Sequence, residues 1–247
     1  MATIFVSVVI PVYNEAATIQ GTLKAVSAYF TASNVLYEII VVDDGSQDRT
    51  VSTVREMLQA IPSVRLLQAP HRGKGAAVKQ GMLSAQGRYT LFMDADSSTR
   101  IEEWQKLRPW LEDSYEVVIG SRKMRGADIR VHQSWLRETM GKGFTWLTNV
   151  MLGLHVSDVT CGFKGFRTSA AHTLVQLQQI QGWGFDAELL FLAKRLGYRM
   201  KEVPVVWSND DTTHVRLMQD TWRSLKELVH IRARGLRHAS GSLKDGA

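Results

Sequence analysis

Leu91-Phe92-Met93-Asp94-Ala95-Asp96-Ser97-Ser98 is the stretch that decides the fold of this chain. Three apolar residues, typical of a buried strand, lead directly into two aspartates that are one residue apart. Open α/β sheets bind ligands at the carboxyl ends of their strands. Two neighbouring carboxylates repel each other, and a divalent cation that joins them to phosphate oxygens relieves this repulsion. The alternative is that an aspartate or serine of this stretch only caps the helix that follows.

The composition is that of an ordinary soluble globular protein. Of the 247 residues, 45% are hydrophobic and 22% are charged. A chain of this length is long enough for one large domain, or one and a half, with a full core. The net charge of +6 predicts an anionic partner, such as a phosphate compound, a nucleic acid or a lipid surface. Cys161 is the single cysteine, so no intrachain disulfide can form. The longest uncharged run after the first strand, 143–157, is shorter than the roughly 20 apolar residues of a membrane span, so we predict no such span.

Short apolar runs alternate with amphipathic stretches in the first half of the chain. The runs predict strands at 6–12, 38–42, 64–67, 89–93 and 117–119. The apolar faces between them predict helices, the first capped by Asn14, the second by Asp48 and the fourth spanning 100–111. This spacing predicts an α/β fold, with a mostly parallel sheet, flanking helices and right-handed crossovers.

The pattern is less regular in the second half of the chain. We predict a polar, mobile loop at 123–131 and loops at 158–164 and 183–188. A strand at 202–207 is predicted to lie at a sheet edge, because Pro204 has no N–H to donate. The predicted helical stretches are 134–152, 185–195 and 220–237, and the tail at 239–247 is predicted to be disordered.

Polar side chains follow several of the predicted strands. They are Tyr13, Glu15, Asp43, Asp44, Lys74, Asp94, Asp96 and Arg122. Taken alone, each of them fits a cap or a turn. In a βαβ sheet, however, these strand ends open onto one edge, where carboxylates suit a metal and a ribose, cations suit phosphates and an aromatic ring suits stacking. The set therefore predicts a site for a nucleotide diphosphate with a divalent ion.

The sequence lacks the motifs of three other kinds of site, namely a P-loop, a dinucleotide-binding turn and a structural zinc site. Gly73-Lys74-Gly75 lacks the Lys-Ser/Thr pair of a P-loop, and Val78 stands where a dinucleotide fingerprint has its third glycine. The sequence has no Cys-x-x-Cys and no His-Glu-x-x-His motif, so we predict no structural zinc.

The motifs at the strand ends resemble a known family, the family 2 glycosyltransferases of the GT-A fold. The motifs are Pro11-Val12-Tyr13-Asn14-Glu15, Val41-Val42-Asp43-Asp44-Gly45-Ser46, Gly73-Lys74-Gly75 and Asp94-Ala95-Asp96. The second half resembles the polyprenyl-phosphate sugar synthases and is most similar to dolichyl-phosphate β-glucosyltransferases. Its motifs are Gly120-Ser121-Arg122, Asp158-x-x-Cys161-Gly162-Phe163-Lys164, Trp183-x-Phe185-Asp186-x-Glu188 and Glu202-Val203-Pro204-Val205.

This resemblance implies a single glycosyltransferase domain over 1–238, with a nucleotide-sugar-binding half at 1–120 and an acceptor-side, membrane-facing half at 121–238. It implies transfer of glucose from UDP-glucose to a polyprenyl or dolichyl phosphate, with Mg²⁺ or Mn²⁺ held by Asp94 and Asp96. The implied substrate-binding residues are Pro11, Tyr13, Glu15, Val42, Asp44, Lys74, Asp94, Ala95, Asp96, Ser98 and Arg122. His214 or Arg216 stands in place of a lysine that relatives carry.

The chemistry of the implied acceptor limits what the site must supply. A phosphate monoester is already anionic at neutral pH, so its oxygen attacks the sugar C1 without a strong general base. Direct displacement inverts the anomeric centre. We assign catalytic roles to Asp96 at the metal, to Arg122 at a phosphate of donor or acceptor, and to Asp158 as a positioning group or a base. The alternative for Asp158 is a loop-capping Asx turn.

Two stretches of the sequence carry residues that suit a membrane surface. The stretch 134–152 is either a core or dimer helix or an interfacial helix. Its residues suited to the headgroup boundary are Trp135, Phe144, Trp146 and Met151. The last predicted helix adds the basic residues Arg223, Lys226, Arg232, Arg234 and Arg237. With a lipid acceptor, we predict a cytoplasmic protein that associates peripherally with an anionic membrane surface at the cytoplasmic face.

Three alternatives remain open at this point. The nearest is a GDP-mannose-dependent polyprenyl-phosphate mannosyltransferase. A transferase acting on a sugar hydroxyl would need a true general base, so loss of Asp158 would abolish its turnover. A non-catalytic nucleotide-binding module would bind nucleotide without regard to Mg²⁺ or Mn²⁺. We predict no nucleic-acid partner, because Asp94 and Asp96 repel phosphates unless a metal intervenes. The oligomeric state is not predicted.

Overall fold

The helices and strands alternate along the chain. The computed structural model describes residues 3–131, 135–208 and 223–234, apart from the side chains of residues 136 and 137. The first elements are β1 (Val6–Val12), α1 (Ile19–Ala32), β2 (Tyr37–Asp43), α2 (Thr50–Ala60), β3 (Val64–Gln68), α3 (Lys74–Leu83) and β4 (Tyr89–Met93). A 3-10 turn (Ile101–Glu103) leads into α4 (Trp104–Glu112).

The second half contains β5 (Val117–Ser121), β6 (Asp128–Val131), α5 (Trp135–Leu152), β7 (Phe163–Arg167), α6 (Thr168–Leu177), α7 (Phe185–Arg195), β8 (Met200–Pro204) and β9 (Val206–Ser208). Residues 223–234 are helical and are called α8.

One large sheet forms the centre of the fold. Among the described residues it has seven strands, in the order β3-β2-β1-β4-β7-β5-β8. β1 pairs in parallel with β2 and β4, β2 with β3, and β5 with β8, whereas β7 is antiparallel to both of its neighbours. β6 and β9 form a separate parallel pair. The prediction of a mostly parallel sheet with flanking helices is confirmed, and strands from both halves of the chain share the sheet.

Alternate residues of the central strands pack into two helical layers. Val8 and Ile10 of β1 belong to a core cluster with Leu23 of α1, whereas Val9 belongs to a second cluster with Val78 of α3. Both faces of β1 are therefore covered, which explains why its sequence is almost continuously apolar. Since β1, β2, β4 and β5 run in the same direction, their carboxyl ends meet at one edge of the sheet.

Strand β7 was not predicted, and it changes the surroundings of that edge. It runs antiparallel between β4 and β5, with Phe163 opposite Met93 at the carboxyl end of β4. The segment 158–164, expected to be a loop, therefore ends in a strand, and α6 follows at once. Lys164 and Gly165 interrupt the apolar run in the sequence, and this hides the strand.

Three further local predictions need correction. Asn14 does not cap α1, because it has a φ of +57° and its side chain accepts the Gln47 N–H, while the helix begins at Ile19. The 123–131 segment is not all loop, since its end forms β6. The predicted strand at 202–207 is divided into β8 and β9.

Other predictions agree with the structure or fall outside it. Asp48 accepts the N–H of Thr50, the first residue of α2, although the N-cap position itself is Arg49, and β8 lies at the sheet edge as Pro204 predicted. The ends of the predicted 220–237 helix and the 239–247 tail lie outside the described residues. Within the described ranges, no helix is both long enough and apolar enough to cross a bilayer.

Candidate functional site

The Asp-Ala-Asp turn that follows β4 is anchored by helix α1. Thr22 Oγ1 lies 2.6 Å from the carbonyl oxygen of Ala95, to which it donates, and 2.8 Å from Ser97 Oγ. Ser97 adopts a φ of +53°, a left-handed conformation that costs energy in a residue other than glycine. The Ser98 N–H donates to the Asp96 carboxylate at 2.9 Å. These contacts fix the turn at the edge of the sheet.

Lys74, the first residue of α3, points at the first aspartate of this turn. Its Nζ lies 2.7 Å from Asp94 Oδ1, and it also lies 5.1 Å from the ring centroid of Trp183 and 5.5 Å from that of Phe92. Burial alone would lower the pKa of Lys74, but the carboxylates of Asp94 and Asp186 outweigh burial and raise its pKa. The ammonium group is therefore charged at neutral pH.

Asp96 lies beside this pair but is not neutralised by it. Among the described residues, no Lys, Arg or His forms an ion pair with Asp96. Burial, and then the negative charge of Asp94, raise the pKa of Asp96. Two carboxylates, one of which has no counter-ion within the described ranges, fit a divalent cation whose remaining ligands are phosphate oxygens. In the part of the chain that the structure describes, no group of three or more His, Cys, Asp or Glu side chains could hold a metal alone.

Gly162, just before β7, is required by the position of Asp94. The Asp94 N–H donates to the Gly162 carbonyl at 3.0 Å. A Cβ at residue 162 would lie 1.8 Å from Asp94 Oδ2, far inside van der Waals contact. The glycine of the Cys161-Gly162-Phe163-Lys164 motif therefore makes room for the site carboxylate.

A buried ion pair joins the two motifs of the second half. Lys164 Nζ on β7 lies 2.5 Å from Asp186 Oδ1 on α7 and donates to the Cys161 carbonyl at 2.6 Å. Burial raises the pKa of Asp186, while Lys164 and Lys74 counteract this increase. The negative charge of Asp186 also helps to raise the pKa of Lys74, so the two motifs of this ion pair are linked to the turn at Asp94.

Asp44 organises the turn between β3 and α3. Its buried carboxylate accepts the Arg72 and Gly73 N–H groups at 2.8 and 2.9 Å, and His71 Nδ1 lies 2.8 Å from Oδ2. The His71 ring stacks on Tyr13, with 4.3 Å between ring centroids. The predicted stacking residue thus has an aromatic partner that the sequence did not reveal.

Three other residues of the implied substrate-binding set differ in exposure. Pro11 and Val42 are paired across β1 and β2 and are buried. The Val42 side chain belongs to a core cluster, and its implied role in substrate binding stays a prediction. Glu15 is half-buried and accepts a hydrogen bond from Thr18 Oγ1 at 2.7 Å.

Arg122, at the end of β5, is gripped by Asp158. Nε and Nη2 donate to the two carboxylate oxygens at 2.7 and 2.9 Å, and Nη2 also donates to Thr160 Oγ1 at 3.0 Å. Asp158 is fully buried. Burial favours its protonated form, but Arg122 outweighs this and lowers the pKa of Asp158 to about 2. Such a carboxylate is a poor general base, and its geometry favours the positioning role.

In this contact Nη1 of Arg122 makes no hydrogen bond within the described part of the chain, and the guanidinium lies over the ring of Trp207, 5.5 Å from its centroid. Burial alone would lower the pKa of Arg122, but Asp158 and, more weakly, Asp94 raise it. The effect of Asp94 indicates that Arg122 lies within electrostatic range of the Asp-Ala-Asp turn.

The structure brings together Lys74, Asp94, Asp96 and Ser98, and orients Arg122 through Asp158. It adds Thr22, His71, Trp183 and Asp186, which were not among the predicted site residues. The motif Trp183-x-Phe185-Asp186 was the only sequence signal for the last two. His214 and Arg216 lie outside the described residues.

The chain is similar to a known protein family along most of its length. The model described as Glycosyl transferase family 2 matches residues 7–175. A dolichyl-phosphate beta-glucosyltransferase from Trichomonas vaginalis is 33% identical over 87% of this chain and 69% of that protein. Proteins of the same name from Drosophila melanogaster and Saccharomyces cerevisiae are 37% and 32% identical, over 83% and 93% of this chain and 67% and 74% of their own lengths.

Solved structures share the fold at lower sequence identity. Glucosyl-3-phosphoglycerate synthase from Mycobacterium tuberculosis, in complex with phosphoglyceric acid, is 20% identical with a TM-score of 0.71, over 93% of this chain and 80% of that chain. The same enzyme has been solved with Mn²⁺, UDP-glucose and phosphoglyceric acid, with a TM-score of 0.70 to this chain.

Proposed function

Because the chain belongs to glycosyl transferase family 2, we propose that it transfers glucose from a nucleotide diphosphate sugar, UDP-glucose, to dolichyl phosphate or a related polyprenyl phosphate. Relatives at 31–37% identity carry the name dolichyl-phosphate beta-glucosyltransferase. The observation that carries the proposal is the carboxylate pair at the end of β4, with Lys74 on one side and the Asp158-oriented Arg122 in its electrostatic neighbourhood.

The donor diphosphate would lie over the Asp-Ala-Asp turn. Asp94 and Asp96 would hold a divalent ion, Mg²⁺ or Mn²⁺, because they are hard oxygen ligands and Asp96 lacks a counter-ion among the described residues. When bound, such an ion stabilises the charge that develops on the departing diphosphate. Lys74 offers a second positive charge at the same place. Tyr13 and His71 offer stacked rings toward the base, beside Asp44.

The acceptor brings its own nucleophile. An oxygen of the lipid phosphate forms the new bond to the sugar C1, while the bond from C1 to the diphosphate oxygen breaks and its electron pair leaves with the nucleoside diphosphate. No proton has to be removed from the acceptor. Attack opposite the leaving group inverts C1. Arg122 would use its Nη1 edge to bind a phosphate, while Asp158 holds the other edge in place.

A transfer assay tests this proposal. The purified protein should move glucose from UDP-glucose to dolichyl phosphate when Mn²⁺ or Mg²⁺ is present, and a chelator should stop the reaction. GDP-mannose and a free sugar acceptor serve as parallel reactions. Preferred use of GDP-mannose would assign the sibling mannosyltransferase activity, and transfer only to a sugar hydroxyl would contradict the phosphate acceptor. Nucleotide binding without turnover and without metal dependence would indicate a non-catalytic module.

The acceptor also requires access to a membrane, and α5 offers a suitable face. Trp135, Trp146 and Val150 are 76%, 67% and 62% exposed, whereas Phe144 and Met151 pack against the core. The helix thus has one core face and one exposed, aromatic outer face, and the outer face supports the interfacial proposal. On α8, Arg223, Lys226 and Arg232 are exposed. Arg234 instead contacts Glu188 and the Leu177 carbonyl, and Arg237 lies outside the described residues.

We therefore predict that the protein sediments with vesicles that contain anionic lipid and is released by salt. Charges at a surface are screened over about 8 Å at physiological ionic strength, so binding should be strongest at low salt. Replacing both Trp135 and Trp146 by serine should reduce the sedimented fraction. Leu36→Ser, at an exposed position just before β2, serves as the control. Equal sedimentation with neutral vesicles, or none at low salt, would contradict peripheral binding through anionic lipid.

A further inference from the structure

The turn that carries Lys74 is packed against a second loop, 178–184. The Ala76 N–H donates to the Gln181 carbonyl at 3.1 Å, and Gln178 Nε2 donates to the Gly75 carbonyl at 2.9 Å. A Cβ on Gly73 would lie 2.7 Å from the Gln181 oxygen. The glycines of Gly73-Lys74-Gly75 are thus explained by the close approach of this loop. The position of Lys74 therefore depends on the 178–184 loop.

Helix α8 holds the other side of the same loop through Glu227. The Gly184 N–H donates to Glu227 Oε2 at 2.7 Å. A Cβ on Gly182 would lie 2.5 Å from Glu227 Oε1, and one on Gly184 would lie 2.5 Å from Oε2. The two glycines therefore cradle the carboxylate. Trp183 stands between them, with its ring centroid 5.1 Å from Lys74 Nζ.

These two sets of contacts form one continuous connection. We infer that Glu227 is a positioning residue for Lys74: by holding the Gly182-Trp183-Gly184 segment, it fixes the ring and the loop that place the Lys74 ammonium at Asp94. The inference rests on the proposed function, because it assigns Lys74 to the donor diphosphate. It adds that α8, the helix whose outer face is basic, is mechanically linked to the donor site.

The contact is suited to this role because it is charge-assisted and local. A hydrogen bond from a backbone N–H to a carboxylate is stronger than one between neutral groups. Gly184 is also the residue before the first turn of α7, which carries Asp186. Loosening Gly184 therefore affects both the aromatic and the acidic neighbours of Lys74, while the central strands keep all of their own contacts.

Glu227→Gln tests the inference, because the amide keeps the size of the side chain and removes its charge. Hydrogen exchange of a peptide covering 178–185 should become at least about tenfold faster. The dissociation constant of UDP-glucose with Mn²⁺, measured by calorimetry without lipid, should rise about threefold to tenfold. Glu56→Gln, the same change at an exposed position of α2, should alter neither quantity.

A double-mutant cycle separates positioning from general stability. In a Lys74→Met background, Glu227→Gln should cause no further loss of donor affinity, because the group on which it acts is gone. If Glu227→Gln does not fold, Gly182→Ala provides a second test, since its methyl group displaces the carboxylate while all charges remain. The same loss of exchange protection and donor affinity is expected.

Several outcomes would overturn the inference. Faster exchange with unchanged donor affinity would make Glu227 merely structural, and unchanged exchange would show that it does not hold the loop. Additive losses in the double variant would show that it acts independently of Lys74. If the wild-type protein binds neither UDP-glucose nor GDP-mannose, the proposed function itself fails, and the inference fails with it. Donor binding by the wild-type protein tests the proposed function, whereas hydrogen exchange in Glu227→Gln tests whether Glu227 holds the loop.

Discussion

Asp96→Asn should weaken metal-supported binding of UDP-glucose by about 100-fold or more while leaving the fold intact. The asparagine side chain keeps the shape of the turn and can still accept the Ser98 N–H. It removes the negative charge, which is what a hard divalent cation requires. Binding is measured by calorimetry at fixed nucleotide sugar with increasing Mn²⁺, and folding by thermal unfolding. Asp113→Asn, the same change at an exposed position, is the matched control.

The stability of this variant has a predictable sign. Burial and Asp94 raise the pKa of Asp96, so the folded protein holds a proton on this group more tightly than the unfolded chain does. Ionised Asp96 therefore opposes folding once the pH exceeds the unfolded pKa. Without added metal, Asp96→Asn should unfold at an equal or higher temperature at neutral pH.

For the wild type, metal affinity should fall with decreasing pH, because protons compete for the carboxylate. Unchanged Mn²⁺ dependence in Asp96→Asn would exclude Asp96 as a ligand.

Much of the sheet was predictable because its signals are local. The strands Val6–Val12 and Tyr89–Met93 and the helix Phe185–Arg195 have the predicted bounds. The two strands are short, almost continuous apolar runs, as expected for strands that are buried on both faces. The convergence of Lys74 with Asp94 also followed from the sequence, since parallel strands deliver their carboxyl ends to one edge.

The rest depends on contacts between distant segments. Strand β7 is recognisable only once Lys164 is known to be paired with Asp186, twenty-two positions away. Thr22 lies in helix α1, and nothing in the local sequence indicates that it binds the Ala95 carbonyl. The same holds for Asp158, for which a positioning group, a base and a loop-capping turn were all open; its burial against Arg122 favours the positioning role.

The second large effect is expected at the Arg122–Asp158 pair. Arg122→Lys keeps the charge, but a single ammonium group cannot replace the Nε and Nη2 contacts with Asp158 while also presenting Nη1 to a phosphate. Turnover with dolichyl phosphate should therefore fall at least tenfold, about 1.4 kcal/mol of transition-state stabilisation. The UDP-glucose affinity with Mn²⁺ should change less. Initial rates at varied dolichyl phosphate, together with calorimetry for the donor, measure the two effects.

Asp158→Asn should instead destabilise the protein by about 3–5 kcal/mol, because it leaves a buried guanidinium without its counter-charge. Since the pKa of Asp158 is lowered to about 2, its contribution to stability is complete above the ordinary aspartate range and is lost only as the pH falls through about 2. Denaturant unfolding at neutral pH measures this loss, and Asp113→Asn again serves as the control.

The two variants together decide what the pair does. If Asp158 orients Arg122, folded Asp158→Asn should show the same selective loss with acceptor as Arg122→Lys, and combining them should add little. Equal losses for donor binding and turnover in Arg122→Lys would move Arg122 to the donor diphosphate. Complete loss of turnover in Asp158→Asn, against a tenfold loss in Arg122→Lys, would restore Asp158 as a base and favour a hydroxyl acceptor. Near-normal turnover in both would make the pair a structural feature of the β5 end.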